Sequence, residues 1–268
     1  MTEINTVRTD GFSMEYLRFG CGEKPFVILP GLSVESVMHF ADAVTEAYAP
    51  LAEAFTVYLF DPRKELPEAC SVFDMARDAA AAVRALGLSR ICLFGVSMGG
   101  MASLVFASEH PETVETLLLG SAAARVDEEH ARLFERWIRL AEKGDAEGLY
   151  LAFGEAVYPR AFFESSREAF IAAAKSVTSA DLRRFATLAE GVRTFDCTDR
   201  LSRIACPTLI LGAGDDAVLG PDAARQIESG LTGCTVRECF QYDGYGHAAY
   251  DMAPDYKERL LRFALRQG

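Results

Sequence analysis

The chain has 268 residues, half of them hydrophobic and a quarter charged, a composition ordinary for a soluble globular protein with a sizeable core. Its formal net charge is −12 and no Lys/Arg cluster stands out, which argues against nucleic acid and anionic membranes as partners. No apolar run reaches the length of a membrane span.

Met1 to Asp10 is polar and lacks the basic start and apolar stretch of a signal peptide, so a cytoplasmic location is expected. Asn5–Arg8 and Met14–Phe19 read as strands of a hairpin whose turn holds Asp10-Gly11. Phe26–Leu29 is a short continuous apolar run, suited to a strand buried on both faces, and it ends at Pro30-Gly31. A helix is expected from Ser36 to about Tyr48, then a strand over Thr56–Phe60. Ser71 is a candidate N-cap with Asp74 as its capping-box partner, and the helix it starts closes at Gly87. A buried strand follows at Ile91–Phe94. A Gly-rich turn leads into a helix over Met98–Glu109, which His110-Pro111 ends, and Val114–Leu119 reads as the next strand. This alternation of strands and helices predicts a parallel sheet covered on both faces.

From Arg125 to Gly191 the pattern is helical throughout, with expected helices at Asp127–Lys143, Asp145–Val157, Ala161–Ser176 and Ala180–Glu190. Aromatic residues are frequent here, among them Phe134, Trp137, Tyr150, Phe153 and Tyr158. They either form a small core of the insert or line a pocket beneath it. Strand–helix alternation resumes with strands at Thr208–Leu211 and Thr235–Tyr242 and helices at Pro221–Ser229 and Pro254–Arg266. The expected domains are therefore a core made of residues 1–124 and 192–268 and an inserted helical cap, 125–191.

Gly95-Val96-Ser97-Met98-Gly99 sits between an apolar strand and a helix. Such a turn holds a serine in a strained backbone conformation at a helix N-terminus, where N–H groups favour negative charge. A serine hydroxyl needs a base. Of the four histidines, His110 lies at the far end of the helix that Ser97 starts, about 18 Å away at ~1.5 Å per residue. His130 falls in the helical insert, and His39 lies near the first crossover helix. His247 follows the last strand in a loop on the face where open α/β sheets place their sites, which makes it the candidate base. An acid must orient the imidazole. Asp215 and Asp216, directly after the strand at Thr208–Leu211, both qualify, with Asp216 favoured. The seven cysteines are scattered, with no Cys-x-x-Cys pair, so neither a disulfide framework nor a zinc site fits. Cys92, inside an apolar run, reads as a small buried hydrophobe.

Phe26–Gly31, Gly95–Gly100, Pro207–Asp216 and Gly246-His247, in this order over nearly the whole chain, resemble the α/β-hydrolase fold superfamily, in the form that carries a helical cap. The resemblance implies a mostly parallel, doubly wound α/β sheet with an all-helical insert. It also implies a Ser97–His247–Asp216 triad. Aligned at Pro207-Thr208-Leu209, the family pattern puts the acid at Asp216, and the alternative place, after the strand that follows the Ser97 helix, reads Gly120-Ser121-Ala122, without an acid. The resemblance further implies an oxyanion hole from the backbone N–H groups of Met98 and Leu32. The chain departs from the family in having Pro30-Gly31 where His-Gly is common, which removes a bracing side chain but keeps the Leu32 N–H. Ser33 beside it would cap the loop or line the pocket. The charged Pro62–Glu65 segment replaces a Gly/Ser-rich loop and reads as solvated.

The function these residues predict is acyl transfer on a small or medium carboxylic ester, with no metal or organic cofactor and a small molecule as the partner. The same triad serves enol-lactones, thioesters, amides and C–C bonds, and a ligand receptor can keep the fold. The surface is compatible with a monomer or a homodimer.

Overall fold

The computed structural model describes residues 2–267. Strands β1 (Ile4–Thr9) and β2 (Phe12–Phe19) form the expected antiparallel hairpin, with Gly11 in the left-handed region its turn requires. Then come β3 (Lys24–Leu29), α1 (Ala41–Ala47), β4 (Phe55–Phe60), α2 (Val72–Ala85), β5 (Ile91–Val96), α3 (Met98–Glu109) and β6 (Val114–Gly120). Four helices follow without a strand between them: α4 (Glu128–Glu142), α5 (Ala146–Val157), α6 (Arg160–Ala173) and α7 (Ser179–Arg193). The chain returns to the sheet with β7 (Thr208–Ala213), α8 (Ala223–Gly230) and β8 (Arg237–Tyr242), and closes with the short α9 (Ala249–Met252) and α10 (Tyr256–Arg266).

The eight strands make one sheet in the order β1-β2-β4-β3-β5-β6-β7-β8, parallel from β4 to β8. The continuous apolar runs are the central strands: every residue of β5 and of β7 is buried, Cys92 included. Parallel strands need covering on both faces, and two apolar clusters provide it. The larger contains side chains of α2, α3, α4 and α7; the other packs Met38, Tyr48, Tyr256, Leu260 and Phe263 on the opposite face. Helix α3 is apolar all round and buried along its length from Met98 to Ser108, as a helix enclosed on every side must be.

Local signals account for most element ends. Ser71 and Asp74 form the capping box, and Gly87, at φ 67°, stops α2. Thr178 and Asp181 build a second box of the same kind, so α7 starts one residue before the Ala180 read from the sequence. The helix expected from Ser36 is instead a 3₁₀ turn over Val37–Phe40, with Ser36 Oγ accepting from the Met38 N–H, followed by the brief α1. The Pro62–Glu65 loop is also less solvated than its composition suggests. Arg63 makes two hydrogen bonds to the buried Asp78 on α2 and lies over the Phe12 ring. No helix among the described residues is long and apolar enough to cross a membrane.

The helices between β6 and β7 are joined at their two ends and tied to the loops after β3 and β4 by two buried carboxylates. An antiparallel bridge pairs Arg125 with Asp196, where the chain leaves and returns. Glu35, from the loop after β3, is buried and accepts hydrogen bonds from Tyr150 Oη of α5 at 2.7 Å and Ser176 Oγ at 3.2 Å. Asp61, directly after β4, is also buried and accepts from Ser36 Oγ at 2.8 Å and from Arg184 Nη2 of α7 at 2.9 Å. Burial pushes the Asp61 carboxyl up, and the Arg184 guanidinium opposes that shift. Arg184→Met is therefore expected to destabilise the protein by about 3 kcal/mol, because it strands a buried carboxylate. Denaturant unfolding at pH 7 checks this, and a loss below about 1 kcal/mol would mean the pair does not hold α7 down.

Candidate active site

The sharp turn between β5 and α3 sets the position of Ser97. Its backbone lies at φ 50° and ψ −117°, a strained conformation for a residue with a side chain. The flanking glycines make the turn possible. A Cβ on Gly99 would collide with the carbonyl oxygen of Leu29 on β3, and one on Gly95 with that of Gly99 on α3. The serine thus stands at the N-terminus of α3, where Met98 provides the first N–H of the helix, one of those that have no intrahelical acceptor.

His247 reaches this serine from the loop after β8. Its Nε2 lies 2.9 Å from Ser97 Oγ, and its Nδ1 lies 2.8 Å from Asp216 Oδ2. All three side chains are buried. Asp216 leaves the end of β7, and its second oxygen, Oδ1, accepts from the N–H groups of Val218 at 2.8 Å and Leu219 at 3.0 Å. Burial alone would raise the Asp216 carboxyl. The neighbouring imidazole and the two N–H groups outweigh it and hold the group below the usual carboxylate range. An ionised carboxylate only accepts, so Nδ1 carries the imidazole proton and the Nε2 lone pair faces the serine hydroxyl. That is the tautomer of a base. Asp215 is exposed, and its one side-chain hydrogen bond among the described residues is from the Gly246 N–H, at 3.1 Å.

The other histidines lie elsewhere. His110 caps the far end of α3, His130 pairs with Asp127 at the start of α4, and His39 sits 3.6 Å from Glu35 with an exposed ring. The loop after β3 passes over the serine: a Cβ on Gly31 would stand 3.3 Å from that of Ser97. This places Leu32 at the rim of the site. Ser33 donates to the carbonyl of Glu35 at 2.6 Å, the loop-capping use of its hydroxyl, and also borders a neighbouring cavity.

The space on Ser97 is nearly closed. Leu32 and His247 bound it below, Phe134 and Trp137 of α4 and Phe153 of α5 bound it above, and a cavity of about 10 Å³ remains, room for roughly one water. A larger cavity of about 430 Å³ adjoins it, sharing Gly31, Leu32 and Tyr250 as walls. Of the insert aromatics, Phe134, Trp137 and Phe153 therefore line the serine cavity and Tyr158 the adjoining one, whereas Phe163 and Phe170 pack on each other. Sequence reasoning missed Tyr250, whose ring meets His247 edge-on at 6.3 Å. Its place three residues after the candidate base was the one available signal. Among the described residues, no group of three His, Cys, Asp or Glu side chains is arranged to hold a metal ion.

Comparison with known proteins adds family and fold. The family profile described as alpha/beta hydrolase fold matches residues 24–254. A putative carbamate hydrolase, RutD, of Rhizobium rhizogenes strain K84 is 28% identical over 226 residues, which cover 80% of this chain and 84% of that protein. Serine hydrolase BPHL of Mus musculus is 25% identical, over 80% of this chain and 70% of that one. Among solved structures, MGS-M2, an alpha/beta hydrolase enzyme from a Medee basin deep-sea metagenome library, superposes with a TM-score of 0.84 at 19% identity. It covers 98% of this chain and 97% of its own.

Proposed function

The chain belongs to the α/β-hydrolase fold family and is an enzyme of it, and we propose that it is a serine hydrolase acting by acyl transfer on a small or medium carboxylic ester. The observation that carries this reading is the hydrogen-bonded series from Ser97 through His247 to Asp216. His247 takes the hydroxyl proton as Ser97 Oγ attacks the carbonyl carbon. The imidazolium that forms is held by the ionised Asp216. Negative charge develops on the carbonyl oxygen, and the N–H groups of Met98 and Leu32 receive it; preorganised donors of this kind contribute several kcal/mol to such reactions. His247 then protonates the leaving alcohol. Water enters, gives its proton to His247 and attacks the acyl-enzyme, and the acid departs with Ser97 restored.

Residues 125–191 serve as a roof over this chemistry and select the substrate through Phe134, Trp137 and Phe153. The cavity beneath them holds about one water, so a bound ester would extend into the adjoining cavity and shift these side chains as it enters. The relative named as a carbamate hydrolase favours a second reading, in which the carbonyl attacked is that of a carbamate.

Turnover of p-nitrophenyl esters from acetate to decanoate, with p-nitrophenyl carbamates alongside, tests both. A fluorophosphonate is expected to label Ser97 and no other serine, as peptide mass spectrometry would read out. A folded protein that turns over no ester and takes no label would be acting on another bond or as a ligand receptor.

A further inference from the structure

The roof contains a buried donor with nothing to bind. Trp137 is 1% exposed and its Nε1 has no hydrogen-bond partner. Native proteins rarely leave a buried donor unpaired, because the lost hydration is not replaced. Four buried side-chain polar atoms lack a partner among the described residues, and only that of Trp137 belongs to a residue lining the cavity on Ser97. The indole is held among the rings of Phe134, Phe153 and Phe185, with centroids 5.1, 4.9 and 6.5 Å away, and none of them offers it an oxygen or nitrogen acceptor.

We propose that Trp137 Nε1 is a substrate-recognising donor that selects esters whose acyl group carries a neutral acceptor, an ether or keto oxygen, close to the scissile carbonyl. The inference rests on the reading of Ser97 as nucleophile. The space it shares with Trp137, widened as the ester binds, then receives the group that stays on the serine in the acyl-enzyme, and the adjoining larger cavity takes the alcohol. An indole N–H donates and cannot accept, so the partner must be an acceptor. Apart from His247, the cavity has no titratable wall residue but Tyr250, and it has no Lys or Arg. A carboxylate there would be buried without a cation, which strongly disfavours it. A neutral oxygen meets both conditions. Trp137 does not touch the reacting atoms, so its effect is on recognition.

Two isosteric substrates isolate the contact: p-nitrophenyl methoxyacetate and p-nitrophenyl butyrate differ by one oxygen in place of one methylene. The ratio of their kcat/KM values is compared between wild type and Trp137→Phe, so that their intrinsic reactivities cancel. The ratio is expected to fall about fivefold in the variant, the size of one neutral hydrogen bond. Replacing Trp137 with 3-benzothienylalanine, which keeps the ring shape and removes the N–H, should give the same fall and guards against a packing defect in the Phe variant.

A second readout does not depend on turnover. Trp137 is the sole tryptophan, so ¹⁵N-labelled Ser97→Ala gives one indole N–H resonance. Titration with methyl methoxyacetate is expected to move that proton downfield, and more than methyl butyrate does. Equal ratios in all three proteins with a stationary resonance would overturn the assignment and mark the indole as mere packing, with the hydrolase reading intact. Conversely, an indole shift in a protein that turns over no ester would support the donor and count against the hydrolase reading.

Discussion

Ser97→Ala is expected to lose on the order of 10⁶ in kcat on the best ester substrate, by analogy with removal of a serine-protease nucleophile. The loss should be this large because His247 then has no hydroxyl to deprotonate, and direct attack by water lacks the oriented nucleophile. Among the described residues the Ser97 hydroxyl makes a single side-chain hydrogen bond, to His247, so little else in the fold depends on it. The Cβ that already occupies the strained turn is retained, so the melting temperature should stay level or rise. Steady-state kinetics beside a thermal melt separate the two effects. A variant that keeps more than a hundredth of the wild-type rate would exclude Ser97 as the nucleophile.

Asp216→Asn is expected to cost on the order of 10⁴ in kcat. The amide can keep its oxygen where Oδ1 now accepts from Val218 and Leu219, which turns its NH₂ toward His247 Nδ1. A donor there forces Nδ1 to accept and moves the ring proton to Nε2, and the base is then blocked on the side that faces Ser97. Asp215→Asn provides the control. Asp215 is exposed and, among the described residues, accepts one hydrogen bond, from the Gly246 N–H, so its loss should stay within about tenfold. Reversed magnitudes would move the acid to Asp215 and leave the family unaffected.

What could be read from the sequence followed how local the physical cause was. Strands β3, β5 and β7 declare themselves because burial on both faces demands unbroken apolar runs. The turn at Ser97 is legible because only glycine fits at Gly95 and Gly99. His247 and Asp216 lie 31 residues apart, yet each lies in the loop that leaves the C-terminal end of one of two neighbouring parallel strands, so topology brings them together. The roof was less legible. Its helices show a helical period, but whether Trp137 faces a cavity or a neighbouring helix depends on how α4 rolls against α5 and α7, which no local pattern encodes. Arg63 was misread for a similar reason. Its partner Asp78 is 15 residues away on α2, and a charged loop looks solvated until that helix is docked. The 3₁₀ turn at Val37–Phe40 was read as α-helix because periodicity over four residues cannot separate the two.

Helix α3 is enclosed on every side, and this bears on how the protein would fail. Amide protons in such a segment exchange with solvent only when the whole sheet opens, whereas the loops that bear His247 and Asp216 can open locally. Ser97 is thus expected to belong to the most slowly exchanging part of the molecule, and its two partners to segments that open at lower cost, which hydrogen exchange would read out. Heat should therefore separate His247 from Ser97 before it disturbs the turn that holds Ser97, and a brief excursion would be undone by re-docking one loop.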